Sequence, residues 1–228
     1  MSEPARLDFR GYLPDEGELR PVVEHLRRGG LVAYPTETVY GFGCLVRPEA
    51  LARLLALKGR EERKPLLLLV PDAGTVARLA WNADARELAG VFWPGAVTLV
   101  LRDPEALFPP GVRSPEGHVA VRRTSHPLAR RLVELAGEPL TSTSANAPGR
   151  APASDGEQAL DAARSVGAGE EMWVLDAGAL PESAASTIVD CTGRRARVRR
   201  AGATPVHRLR CVLPGIESSR RESDGTSG

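Results

Sequence analysis

Lysine is almost absent from this sequence. Of the 30 basic residues, only Lys58 and Lys64 are lysines, and the other 28 are arginines. Both lysines fall in one short window, which also holds Arg60 and Arg63. An ammonium is a compact point charge on a flexible stem, whereas a guanidinium is a broad planar fork. The window therefore indicates a place where a compact cation is required.

Cysteine, histidine and long apolar runs are also scarce. Cys44, Cys191 and Cys211 lie far apart without a Cys-x-x-Cys spacing, so we expect reduced thiols rather than a disulfide or zinc framework. The four histidines are scattered and give no metal-ligand spacing. The longest apolar run, residues 66–70, is far shorter than the roughly 18 residues of a transmembrane helix. The N-terminus has no apolar signal-peptide core, so we expect a cytoplasmic protein without a membrane partner.

Neither sign of charge is in excess, because the chain has 30 basic and 29 acidic residues and a net charge of +1. This balance predicts no global attraction to nucleic acid. The chain has 228 residues, of which 42% are hydrophobic, which is enough for one sizeable α/β domain or two small ones. No stretch is rich enough in linker residues to demand a second domain.

Apolar runs of strand length alternate with amphipathic stretches of helix length. This pattern predicts one α/β domain with a twisted open sheet and polar loops gathered at one edge of the sheet. The predicted helices cover residues 19–28, 48–58, 127–136 and 154–165. The predicted strands cover residues 7–9 at the sheet edge, 31–34, 66–70, 96–102, 119–122, 139–143, 172–175, 187–190 and 197–200. We predict that the domain spans residues 1–212 and that residues 213–228 form a disordered tail.

A loop of small polar residues, 35–43, follows the strand at 31–34 and contains Gly41 and Gly43. Such a loop can turn backbone N–H groups and hydroxyls toward an anion, but it can also be a plain strand-to-helix connection. The Gly-x4-Gly-Lys-Ser/Thr spacing of a Walker A loop is absent. The cations at 58–64 could likewise be a solvated helix end. Their lysine bias favours a phosphate site.

Three later segments carry further candidate ligands. Residues 141–146 pack five hydroxyl or amide side chains into six positions at a strand end, which suits binding of polar oxygens. Ser186 opens another strand, and a structural role there is about as well supported as a binding role. Residues 194–210 hold seven arginines and no acid, which fits a solvated strand face, triphosphate contacts or RNA contacts.

The joint pattern resembles the YrdC/Sua5 family of threonylcarbamoyl-AMP synthases over about residues 18–203. The segments that carry the resemblance, in order, are Pro35-Thr36-Glu37-Thr38-Val39-Tyr40-Gly41, Lys58-x-Arg60-x-x-x-Lys64, Trp93-Pro94-Gly95, Val119-Ala120-Val121-Arg122, Ser142-Thr143-Ser144-Ala145-Asn146 and Ser186-Thr187-Ile188-Val189-Asp190. The resemblance is to the short, single-domain form. It implies an open mixed sheet surrounded by helices, with a basic concave groove.

The resemblance also implies a reaction and site roles. L-threonine, bicarbonate or CO2, and ATP would give L-threonylcarbamoyladenylate and pyrophosphate, and the product would supply downstream proteins that modify adenosine 37 of tRNA. By position, Lys58 and Arg60 resemble catalytic ATP ligands. The other implied ATP ligands are Lys64, Ser144, Asn146 and Arg200. The implied threonine ligands are Thr36, Arg122, Ser142 and Ser186.

The residue types agree with this chemistry. A carbamate oxygen can attack the α-phosphorus directly, so no protein nucleophile is needed, and the sequence has no Ser/His/Asp or Cys/His arrangement. Cations must stabilise the phosphoryl charge, and we expect Mg²⁺ to take part. The sequence assigns no metal ligand, although Glu37 is a carboxylate that could help hold the ion.

Other functions remain open from the sequence, and one of them is that of a paralogue with the same fold and an unknown substrate. A carbamoyl-transfer paralogue would share the fold but belongs to much longer chains. A non-catalytic RNA-binding protein would use the groove and the arginine-rich end, and its affinity would fall linearly with the logarithm of salt concentration.

Overall fold

The computed structural model describes residues 3–59 and 65–218. The helices in this part of the chain are α1 (Glu16–Arg27), α2 (Pro48–Leu57), α3 (Ala83–Phe92), α4 (Pro127–Ala136), α5 (Gly156–Ser165) and α6 (Val206–Val212), with one 3₁₀ turn at Gly74–Val76. None of the described helices is long and apolar enough to cross a membrane.

Within the described residues, eleven strands form one mixed sheet in the order β1-β8-β2-β3-β7-β4-β6-β5-β9-β10-β11. Their bounds are β1 (Ala5–Asp8), β2 (Leu31–Pro35), β3 (Tyr40–Gly43), β4 (Leu67–Leu69), β5 (Val97–Arg102), β6 (His118–Arg122), β7 (Leu140–Ser144), β8 (Met172–Asp176), β9 (Thr187–Asp190), β10 (Arg197–Arg200) and β11 (Glu217–Ser218). The pair β2–β8 is parallel and the pair β2–β3 is antiparallel. The predicted fold class, an open mixed α/β sheet with helices around it, is confirmed.

The sheet separates two hydrophobic cores because successive strand residues point to opposite faces. On β2, Leu31 and Ala33 belong to the core under α2, α3, α5 and α6, whereas Val32 and Tyr34 belong to the core under α1 and α4. The second core extends over only part of its face. Farther along the sheet the same face carries polar side chains, such as Thr98 beside the buried Leu99.

Local signals explain where several helices begin and end. Helix α1 begins at Glu16, three residues before the predicted start, because Asp15 and Glu18 form a reciprocal capping box. Helix α4 has the predicted bounds, with Pro127 in its first turn and Gly137 in a left-handed conformation after its last residue. Helix α5 begins at Gly156, two residues after the predicted start, because Asp155 caps it and its side chain accepts the Gln158 N–H.

Two predictions about irregular segments are wrong. Residues 40–43 are not loop, because they form β3, which pairs with β2 and β7. The predicted tail is not disordered from its start, because Ile216 is buried and the Glu217 N–H donates to the Ala196 carbonyl at 3.0 Å. Helix α6 was not predicted. The rest of the predicted tail, residues 219–228, lies outside the described residues.

Candidate active site

A cavity of about 230 Å³ lies over the sheet face that carries α1 and α4, beyond these two helices. Strand residues such as Thr98 and Ala120 line this cavity, so its floor is the face of the sheet. Six residues with predicted binding roles line it, namely Thr36, Arg122, Ser142, Ser144, Ser186 and Arg200. None of the lining residues in the described chain carries a carboxylate.

Thr36 begins the turn that joins β2 to β3. Its hydroxyl donates to the Val39 carbonyl at 2.7 Å and accepts the Thr38 and Val39 N–H groups, each at 3.3 Å. The Thr36 and Thr38 hydroxyls lie 3.0 Å apart, and both side chains are buried. Side-chain to backbone bonds of this kind fix the shape of a short turn, so the two hydroxyls hold a defined position at the cavity wall.

Gly43 on β3 serves strand packing rather than anion binding. A Cβ at this position would lie 2.1 Å from the Thr141 carbonyl oxygen on β7. No side chain fits at that distance, so the close approach of the two strands requires glycine. Gly41 does line the cavity, and a Cβ there would lie 3.1 Å from the Ser142 hydroxyl.

Arg122 ends β6 with a guanidinium that is 3% exposed and lines the cavity. Its Nη1 lies 3.3 Å from Oε1 of Glu37. The other Glu37 oxygen accepts a hydrogen bond from the Thr124 hydroxyl. A buried cation requires such a counter-ion. Glu37, which was a candidate metal ligand, thus pairs with Arg122. No motif or pattern in the sequence pointed to Thr124.

His126 lies close to this ion pair. Burial lowers the pKa of His126, and the nearby Glu37 carboxylate partly offsets that effect. The imidazole is therefore neutral near pH 7, and within the described residues its Nδ1 has no hydrogen-bond partner.

Arg200 and Ser186 form the opposite side of the cavity. The Arg200 guanidinium donates to the Ser186 carbonyl at 2.8 and 3.2 Å, and the Ser186 and Thr98 hydroxyls lie 2.9 Å apart. Burial and the positive charge of Arg122 lower the pKa of Arg200. Arginine stays protonated in proteins, so the cavity contains two like charges, which an anionic ligand would relieve.

Lys58 does not line this cavity. Its ammonium is buried at the end of α2 and donates to the carbonyls of Ser144 and Asn146 at 2.9 and 2.6 Å, and to Oδ1 of Asn146 at 2.7 Å. The Ser144 hydroxyl donates to the same Oδ1 at 2.6 Å. Asn146 lines a neighbouring cavity of about 310 Å³. Lys58 thus holds the segment that separates the two cavities.

Arg60 and Lys64, both predicted ATP ligands, lie outside the described residues. Pro65, which follows Lys64 in the chain, lines the first cavity. The arginine run at 194–210 is not one continuous patch, because Arg197 pairs with Glu217 and Arg199 pairs with Asp190.

The described residues contain no group of three or more His, Cys, Asp or Glu side chains that could hold a metal ion. Burial raises the pKa of Cys44 to about 11 and that of Cys191 to about 12, so neither is a reactive thiolate near pH 7. The described lining of the first cavity offers two guanidinium groups and a set of hydroxyls, which suit electrostatic stabilisation of an anion.

Known proteins provide an independent comparison. The model of the Sua5/YciO/YrdC family, described as telomere recombination, matches residues 24–202. A threonylcarbamoyl-AMP synthase of Halorhodospira halophila is 44% identical over 138 residues, which cover 59% of this chain and 72% of that protein.

Two crystal structures share the fold. Pyrococcus abyssi Sua5 complexed with L-threonine superposes with a TM-score of 0.82 at 28% identity, over 100% of this chain and 66% of that chain. This chain thus spans about two-thirds of the longer protein. E. coli YciO superposes with a TM-score of 0.75 at 25% identity, over 90% of this chain and 98% of that chain. The chain belongs to the Sua5/YciO/YrdC family.

Proposed function

We propose that this protein is an L-threonylcarbamoyladenylate synthase. It condenses L-threonine, bicarbonate or CO2, and ATP into threonylcarbamoyl-AMP and pyrophosphate. The product then supplies the cytoplasmic proteins that modify adenosine 37 of tRNA. The proposal rests on the first cavity, whose described lining has two arginines, four hydroxyl residues with predicted roles and no carboxylate. The chain also shares its fold with Sua5 complexed with L-threonine.

In this proposal the first cavity binds threonine. The Arg122 guanidinium receives the substrate carboxylate, since a planar fork matches a carboxylate in a bidentate manner. Thr36, Ser142 and Ser186 surround the same space and offer hydrogen bonds to the threonine hydroxyl and amine. A cavity of about 230 Å³ is of a size that suits an amino acid rather than a whole nucleotide.

ATP lies beside threonine in this proposal. Arg200 and Ser144 line the first cavity and Asn146 lines the second, so we place the α-phosphate in the part of the first cavity that borders residues 144–146. Lys58 adds positive charge and holds Ser144 and Asn146 in place. Arg60 and Lys64 are proposed to bind the outer phosphates.

The reaction needs no covalent enzyme intermediate. The threonine amine and bicarbonate give a carbamate and water, and a carbamate oxygen then attacks the α-phosphorus while pyrophosphate leaves. The cations stabilise the charge that develops on the phosphoryl oxygens. The described residues do not fit a protein-held Mg²⁺, because Glu37 is committed to Arg122 and Thr124. We therefore propose that magnesium enters the site with the substrate, as Mg·ATP.

Mass spectrometry of a reaction with threonine, bicarbonate and Mg·ATP tests the proposal. We expect threonylcarbamoyl-AMP and an equal amount of pyrophosphate. Valine should react poorly, because a site built to hydrogen-bond a hydroxyl rejects an analogue that lacks it by up to about 10⁴-fold. Equal turnover of valine would contradict the threonine site. No product, together with salt-dependent RNA binding that ignores threonine, would favour a non-catalytic RNA-binding protein.

A further inference from the structure

Among the described residues that line the first cavity, Arg122 is the most buried charged one, and it lies in a row with two further polar side chains. Glu37 comes from the turn between β2 and β3, and Thr124 follows β6. Arg122 is 3% exposed and Thr124 is 1% exposed. The three side chains form a row in which the Thr124 hydroxyl donates to Glu37 and Glu37 pairs with Arg122.

The Thr124 hydroxyl donates a hydrogen bond to the Glu37 carboxylate, and this bond can hold the carboxylate in one orientation. Oε2 of Glu37 accepts this bond, whereas Oε1 faces Arg122 at 3.3 Å and has no hydrogen-bond partner within the described residues. Without the hydroxyl, the carboxylate could rotate about its side-chain torsions, and the guanidinium would follow its counter-ion. A bidentate contact between a guanidinium and a carboxylate is sensitive to such a rotation because both groups are planar.

We propose that Thr124 is a positioning residue, which acts through Glu37 to hold Arg122 in the orientation that receives the carboxylate of the amino-acid substrate. This inference rests on the proposed function, because it assumes that the cavity binds an α-amino acid. Neither Thr124 nor Glu37 lines the cavity. Their effect on the substrate is therefore indirect, through the angle and position of the guanidinium.

A second role of Thr124 must be separated from this one. Its hydroxyl also accepts the N–H of His126 at 3.2 Å, just before α4 begins. Thr124→Val removes both bonds while leaving every charge and almost all of the side-chain volume in place. Thr124→Ser keeps the hydroxyl and both bonds. A purely structural role would lower stability and the active fraction, but it would leave the KM for threonine unchanged.

The chain contains a matched control. The Thr192 hydroxyl donates to Asp190 at 2.7 Å, and Asp190 pairs with Arg199 at 2.6 Å. This is the same Thr–carboxylate–Arg row, but none of its three residues lines the cavity. Thr192→Val therefore removes an equivalent hydrogen bond at a place where no effect on substrate binding is expected.

The test measures threonine-dependent pyrophosphate release and the melting temperature of the three variants and the wild type. Thr124→Val should raise the KM for threonine by about ten- to hundredfold, the range for one hydrogen bond to a charged group. The kcat at saturating threonine and the KM for ATP should stay near wild type. Thr124→Ser should restore the KM, and Thr192→Val should not change it.

An unchanged threonine KM in Thr124→Val would overturn the positioning role, whatever the melting temperature. A fall in kcat alone would overturn it as well, because that pattern indicates lost active protein. Failure of the proposed function is distinguishable, since the wild type itself would then release no pyrophosphate with threonine. Calorimetric titration of threonine into the wild type and Thr124→Val proteins gives the binding comparison without turnover.

Discussion

Substitution of Lys58 tests why the protein places a lysine at the end of α2. One nitrogen there lies 2.9, 2.6 and 2.7 Å from three oxygens, the carbonyls of Ser144 and Asn146 and the Asn146 side chain. An ammonium has three donors that point in three directions from one atom, which matches this arrangement. The ammonium also lies 5.7 Å from the centre of the Phe42 ring.

Lys58→Met keeps the length of the side chain and removes all three donors. Two backbone carbonyls then lose this partner, and a buried acceptor left without a donor costs about 1–3 kcal/mol. Ser144 and Asn146 are themselves only half-buried, so water can replace part of the loss, and we expect the free energy of unfolding to fall by roughly 2–4 kcal/mol. For a domain of this size that corresponds to a fall in melting temperature of about 4–16 °C. The KM for ATP should rise, because the segment with Ser144 and Asn146 is released.

Lys58→Arg is the sharper variant because it keeps the charge. A planar guanidinium cannot direct three donors from one point, and it needs more room at the end of the helix. We expect it to lose stability and to raise the KM for ATP, though less than Lys58→Met. Arg78→Met is the control, since the exposed Arg78 pairs with Glu105 at the surface, where an ion pair contributes about 0–1 kcal/mol.

The assays are scanning calorimetry and threonine-dependent pyrophosphate release at varied ATP concentrations. If Lys58→Arg retains both the melting temperature and the KM for ATP of the wild type, positive charge alone suffices and the three-acceptor argument is refuted. If Lys58→Met retains its melting temperature, the hydrogen bonds to residues 144–146 do not stabilise the fold.

Two further predictions concern stability. Burial lowers the pKa of His126 below 6.5, so near that pH the folded protein binds fewer protons than the unfolded chain, and the free energy of unfolding should fall as the pH drops below about 6.5. Urea unfolding at two pH values should show a smaller fall for His126→Gln than for the wild type. An equal fall in both proteins would contradict this prediction. In the same assay, Ile216→Ala should lower the free energy of unfolding by about 2–4 kcal/mol, because Ile216 is buried. Val91→Ala, at an exposed position, should change that free energy little. Equal effects of the two substitutions would show that residue 216 is not part of the core.

Elements with local signals could be predicted from the sequence, and elements defined by distant partners could not. Helix α4 has a proline in its first turn and a glycine after its end, and both signals lie within the helix and its neighbours. Strand β3 reads Tyr-Gly-Phe-Gly, which has low strand propensity because of its glycines. Its identity depends on β7, about a hundred residues away in the chain, whose Thr141 carbonyl leaves no room for a Cβ at Gly43.

The same limit applies to the site. The resemblance to the YrdC/Sua5 family implied binding roles for Arg122, Ser142 and Ser186, and the structure brings all three to one cavity. Their partners could not be inferred, since Glu37 and Thr124 are 87 residues apart in the sequence. A carboxylate next to a hydroxyl-rich turn is equally compatible with a metal ligand and with a counter-ion. A three-dimensional contact was needed to decide between them.

The scarcity of lysine indicated that a compact cation is required at Lys58, but it did not indicate which atoms that cation binds. The near absence of lysine elsewhere predicted a place that requires a compact ammonium rather than a guanidinium. Three oxygens around one nitrogen meet that requirement, but they belong to the protein, 86 and 88 residues along the chain, and not to a phosphate. A cation that orders the segment between two cavities contributes to both of them. Selection for lysine can therefore act through the positions of Ser144 and Asn146 as well as through charge.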